Sequence, residues 1–367
     1  MAVAEGDRGL SAAAEPVPLT YRPWWIGPLR LSLIAGAGVF AVWLSYQLSP
    51  SNVTLYDLMG LYAIVAIGLS LLMGFAGQTS LGQGAFYMLG AYTAGVLTIG
   101  INPDERLVNP HAGINPILAL AIAPLLTAGV AAVIGVPLLR LRGHYLAFAT
   151  LALHMITLAV VFAQDRFLGG QVGLAGVKPL KVGSHLVTGA THAAVVWGFA
   201  ALTLVLAVNL VHSRAGRGLQ AIAASEAAAA AAGINVTTYK LRLFVLSAGL
   251  AGLAGGLYTF LLQFLSPDAF PIILSIQFVV MVAVGGLGNV YGAVVGAIAI
   301  TWLQRRLQEV GTHKSLLGWD LPVQAPQVFS IGVFAAILIL VMLFAPRGLL
   351  PAVGGAARWS RRRVTKL

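Results

Sequence analysis

The residues able to do chemistry in this chain are few, and their spacing rules out several kinds of it. A phosphate-binding loop ends in Gly-Lys-Ser/Thr, yet the five lysines follow Val177, Leu180, Tyr239, His313 and Thr365. The chain therefore has no such loop with which to hold ATP. With no cysteine, neither a disulfide nor a Cys-ligated metal or iron–sulfur site is available. No His-Glu-x-x-His cluster and no paired carboxylates point to a protease or a metal centre. The apolar runs offer His154 essentially alone, with Asp57 at the mouth of one of them. A proton relay needs several such groups at mid-membrane, whereas a lone His on an apolar helix is more often a hydrogen-bonded core residue. No catalytic residue, metal or cofactor is expected, so energy has to come from outside the chain.

Two other groups of residues stand out. Gly77, Gln78, Ser80, Gln83 and Gly84 sit together between two apolar runs, and Gly285, Gly286, Gly288 and Asn289 sit between two others. Glycines at such places let helices pack closely. The amides and hydroxyl add polar groups that lipid-facing segments do not tolerate unsatisfied, so Gln78, Ser80 and Gln83 are candidates to line a pathway or gate. Gly285, Gly286 and Gly288 allow both readings, with packing favoured. The two clusters share spacing (Gly74/Gly77/Gln78 and Gly285/Gly288/Asn289), as a parallel internal repeat would.

The elements that position these residues are apolar. Of 367 residues, 59% are hydrophobic and 9% charged, against about a quarter charged in a soluble domain. Most of the surface must face lipid or other helices. A net charge of +11 without basic residues interleaved with aromatics does not suggest nucleic acid. A bilayer core of about 30 Å needs about 20 apolar residues in a helix. Ten runs qualify as candidates: 31–48, 56–74, 79–99, 116–138, 143–163, 193–211, 243–264, 272–288, 290–304 and 326–345. The eighth and ninth are alternatively a re-entrant pair. The expected fold is an all-α, polytopic membrane helical bundle of about ten helices, spanning 29–350. Residues 1–28 form a short cytoplasmic tail without a secretory signal, and residues 351–367 a basic one.

Lys and Arg favour the cytoplasmic side. With the N-terminus inside, fifteen of the 22 basic residues fall on inner segments and seven on outer ones, so both ends are expected inside. The longest internal cytoplasmic stretch is then 212–242. Its alanine-rich sequence predicts one helix from about Arg217 to Ala232, since alanine is the best helix former and Gly233 a natural stop. Ser225 is expected to interrupt it little. Without a strong apolar stripe, such a helix suits docking to another protein better than anchoring in lipid.

Several stretches resemble the branched-chain amino acid permease family of ATP-binding-cassette importers, methionine-branch type. They are Gly74-Phe-Ala-Gly77-Gln78-Thr-Ser80-Leu81-Gly82-Gln83-Gly84-Ala85-Phe86, Leu139-Arg140-Leu141-Arg142-Gly143-His144-Tyr145, and Ser213-Arg214 through Arg217 and Glu226 to Gly233-Ile234-Asn235. Gly285-Gly286-Leu287-Gly288 and Ala345-Pro346-Arg347-Gly348-Leu349 also fit. The resemblance implies import of branched-chain amino acids or similar small solutes across the inner membrane of a bacterial cell. It implies as partners a second permease subunit, two cytoplasmic ATP-binding subunits that hydrolyse ATP, and an extracytoplasmic solute-binding protein. Arg214, Arg217, Glu226 and Gly233 would mark the segment that couples to the ATPase. Two departures stand out: Ala223 and Ala224 replace polar residues before the Glu, and Leu168 replaces a Thr in an outer Gly-Gly loop. Other solutes (urea or amides, aromatic acids, sugars) use similar architecture; a secondary carrier or scaffold is the remaining alternative.

Overall fold

The computed structural model describes residues 26–99, 113–141, 143–182 and 185–312, with residues 315–316, 319–320, 335–336 and 339 beyond them. Most of both expected tails and all but three residues of the run 326–345 lie outside the described residues. Helices occupy the other nine runs. They are α1 (Ile26–Ser45), α2 (Pro50–Phe75), α3 (Gln83–Ile99), α4 (Pro116–Leu138), α5 (His144–Ala163), a single turn α6 (Asp165–Leu168), α7 (Ala190–His212), α8 (Arg214–Ala224), α9 (Glu226–Ala231), α10 (Val236–Leu262), α11 (Ile272–Gly285) and α12 (Val290–Thr312). By length and composition α2, α4, α5, α7, α10 and the stretch Pro267–Gly285 can each cross a membrane. The chain is an all-α, multi-pass membrane bundle.

Local sequence sets the helix ends. Pro50 and Pro116 stand in the first turns of α2 and α4, where a missing N–H costs nothing. Asn115 caps α4 by accepting from the Ile117 N–H at 3.0 Å. Gly77, with φ +63°, ends α2, and Gly286 and Gly288, with φ +110° and +77°, turn the chain between α11 and α12. That turn resolves 272–304 into two helices packed on one another. The 14 residues of α11 rise only about 21 Å, short of a bilayer core.

The centre of the bundle is α2, enclosed by α7, α10, α11 and α12. Around it the close contacts are between small residues. A Cβ on Gly90 of α3 would overlap Gly252 of α10, and one on Gly255 would overlap the Tyr87 carbonyl. Gly285 of α11 meets Gly292 of α12 in the same way. Lipid provides no hydrophobic force between helices, so such backbone approach, with its dispersion contacts, is what holds them. Thr259 adds a hydrogen bond from Oγ1 to the Ala91 carbonyl at 2.8 Å. By contrast, α5 is peripheral and exposes Tyr145, Phe148, Met155, Ile156 and Val160.

The turns collect at two ends. At one, Leu174–Ala175 pairs antiparallel with Phe264–Leu265, and Ile114 donates to the Leu97 carbonyl. At the other, Gly74 packs on Gly288, Leu81 N–H donates to Thr150 Oγ1 at 2.9 Å, and α8 packs against α2, α7 and α10.

Candidate functional site

The segment 212–242 differs from its expected single helix. Ser225 has φ −162° and ψ +115°, an extended conformation that breaks the alanine run into α8 and α9. The reason is side-chain competition: Ser225 Oγ accepts from the Ala228 N–H at 3.2 Å. A capping serine gains more by starting a new helix than by continuing the old one. The expected absence of an apolar stripe is also overturned, because Leu219 and Ile222 of α8 are buried in the bundle. The opposite side of α8 leaves Arg214, Arg217, Gln220, Ala221, Ala223 and Ala224 exposed.

The end of α9 follows from Gly233. Its φ is +82°, its N–H donates to the Ala230 carbonyl and that of Ile234 to the Ala229 carbonyl, both at 3.0 Å. This is the paired-bond glycine stop of a helix C-terminus. Two residues on, Asn235 caps α10 through the Thr238 N–H at 3.1 Å. Glu226 is not free: Lys240 Nζ, in the second turn of α10, donates to its Oε1.

The other candidates meet at the start of α3. Gln78, Ser80 and Gln83 are all buried. Gln83 Nε2 donates to Ser247 Oγ of α10 at 2.8 Å, while Gln83 Oε1 and Gln78 Oε1 have no partner among the described residues. Beside them, the Gly84 N–H donates to Ser275 Oγ at 2.9 Å. Ser275 Oγ also lies 2.8 Å from His154 Nδ1, and His154 Nε2 is 3.2 Å from the Phe270 carbonyl. His154 is thus a hydrogen-bonded core residue joining α5 to α11. Gly288 is brought against Gly74, while Gly285 packs on Gly292 of α12 and Gly77 has open space beside it, so the two glycine clusters meet at Gly74 and Gly288.

Sequence reasoning missed a buried pair. Because α2 starts at Pro50 and α7 at Ala190, three residues before the expected run, Asp57 and His192 both lie inside helices. His154 is therefore not the lone buried histidine, and Asp57 is not at a mouth. Both side chains are buried, and His192 Nδ1 lies 2.6 Å from Asp57 Oδ2. His192 Nε2 is 3.2 Å from the Leu257 carbonyl of α10, so three helices share the contact. Asp57 Oδ1 has no partner among the described residues. The signals were Ser49-Pro50, a helix start upstream of the apolar run, and Thr191-His192 directly before Ala193. Deeper in the core, Tyr62, Tyr87, Tyr258, Phe270 and Phe278 form an aromatic cluster with centroids 5.3–6.3 Å apart along its contacts.

The family model for the permease component of branched-chain amino acid transport systems matches residues 53–343. The chain belongs to that family. Among its relatives, the high-affinity branched-chain amino acid transport system permease protein LivM of Escherichia coli (strain K12) is 26% identical, over 88% of this chain and 75% of the relative. The probable LivM of Methanocaldococcus jannaschii is 25% identical over 80% of this chain and 91% of the relative. The corresponding LivH of E. coli is 25% identical over 79% and 91%. No solved structure matches. In this member of the permease family, then, the turn after α2 is made by a glycine stop, and the segment between α7 and α10 by side-chain caps and a second such stop.

Proposed function

We propose that this chain is the transmembrane subunit of an ATP-driven importer that moves branched-chain amino acids into the cytoplasm. It would sit in the inner membrane of a bacterial cell with ten spans and both ends inside. Its partners would be a second permease subunit, cytoplasmic ATP-binding subunits and an extracytoplasmic solute-binding protein, with ATP hydrolysis confined to the separate subunits. Membership of the permease family is the observation that carries this reading. The exposed outer side of α8 and α9, with Arg214 and Arg217 at its edge, supports it as a surface for the ATP-binding subunits. The patch around Gly77, Gln78, Ser80 and Gln83 lies at that same end of the bundle, where a gate driven by those subunits would act. The test is uptake of labelled leucine, isoleucine and valine into cells lacking their own importer, with and without this chain alongside its partners. Uptake that depends on the chain and is displaced by unlabelled branched-chain amino acids supports the proposal. Uptake displaced instead by urea, aromatic acids or sugars would overturn the choice of solute.

A further inference from the structure

We propose that Glu226 is committed within the chain to Lys240, and that this contact makes α9 a rigid extension of α10, leaving Ser225 as the joint of the segment. The inference rests on the transport reading only for its consequence, since its geometry belongs to the chain alone. Four features fasten α9 to α10. The paired bonds at Gly233 fix the turn, Asn235 caps α10, Ile234 follows the glycine directly, and Glu226 reaches across to Lys240. Lys240 needs such a partner. Its side chain is only 15% exposed, and a charge held away from water is costly to leave unpaired. Glu226, 59% exposed, lies in the first turn of α9, where the dipole favours an anion.

The anchorage of α8 is wider, on α7 and α2 as well as α10. Ser213 caps it through the Gly216 N–H at 3.2 Å, directly after α7, and Gly216 lies so close to the Val211 carbonyl that a Cβ would overlap it. Between the two arms only Ser225 is extended. A push on α8 and α9 from the cytoplasmic side would therefore change the angle between α7 and α10. Movement of α10 passes directly to α3 through the close approach of Gly252 to Gly90. Lys240 is then a positioning residue for coupling, and Glu226 is not the contact offered to the ATP-binding subunit.

The absence of cysteine makes the test direct. Spin labels at Ala230→Cys and Thr237→Cys, both exposed, report the α9–α10 distance in the purified chain in nanodiscs. The distribution should be narrow in the native background, broad in Lys240→Glu and in Glu226→Lys, and narrow again in the charge-swapped double variant. In the assembled importer, each single variant should keep its ATP-binding subunits but lose solute uptake about tenfold, the size of an ordinary coupling between sites, and the swap should restore it. An unchanged distribution in both single variants would overturn the strut. So would a swap that restores the distance but not recruitment of the ATP-binding subunit, because Glu226 would then face that subunit. If the native chain recruits no ATP-binding subunit, the transport reading fails while the distance measurement still decides the strut.

Discussion

Asp57 and His192 illustrate how much a single buried pair can demand. Neither is accessible to solvent, and each has its neighbour within 2.6 Å. Removing one partner leaves the other buried and uncompensated, which costs about 3–5 kcal/mol. His192→Ala and Asp57→Ala should each lower the thermal midpoint of the purified chain and its abundance in the membrane. Replacing both should cost clearly less than the sum of the singles, a coupling that a double-mutant cycle measures. Strict additivity would mean the two do not interact. The pair was hidden in the sequence because the run 193–211, bounded at its hydrophobic residues, leaves out His192 in the first turn of α7, and because the start of α2 at Pro50 puts Asp57 deeper than the mouth of the run 56–74. His154 sits in the middle of its run, where a lone histidine is expected to be a hydrogen-bonded core residue, and Ser275 and Phe270 provide those bonds.

At the level of the element, the break at Ser225 is the clearest difference between expectation and structure. Composition predicts one helix because alanine propensity is summed along the run, while a cap acts at one residue and is invisible to that sum. Ser225→Ala removes the cap, worth about 0.5–2 kcal/mol, and supplies a residue that favours continuation. Fusion of α8 with α9 is expected, read as a lengthened distance between spin labels at Gln220→Cys and Ala230→Cys. An unchanged distance would mean that packing, not the cap, makes the break. Gly233 was legible because its role is local. No atom lies within 4 Å of where its Cβ would be, so Gly233→Ala should cost only the left-handed backbone strain of about 1–2 kcal/mol. Gly90→Val is a different case, since its obstacle is the backbone of α10. Overpacking of about 1–3 kcal/mol or more should separate α3 from α10 and abolish uptake, even if the chain still reaches the membrane.

For the whole molecule, hydrophobic runs and glycine stops made the bundle readable, since nine of the ten runs coincide with helices. What could not be read was which helix lies at the centre. The sequence of α2 is no more apolar than that of α4, yet α2 is enclosed and α4 largely exposed, because centrality depends on contacts far apart in the chain. The orientation proposed from the basic residues has its own test. Cysteine at Val172, which is 85% exposed, should react with an impermeant reagent added outside intact cells. Cysteine at Ser225 should react only after the membrane is opened, and the reverse pattern would invert the topology.

The pairing of Asp57 with His192 also constrains how the protein is made. The two residues are 135 positions apart, and a ribosome adding about 5–20 residues per second needs roughly 7–27 s to travel from one to the other. For most of that interval α2, complete at Phe75, has been synthesised but its histidine has not. An acidic side chain within a membrane helix is costly to leave in lipid, so α2 gains its final place only when α7 arrives. The central helix is therefore not locked before His192 is made, and its enclosure by α10, α11 and α12, which follow in the chain, comes later still.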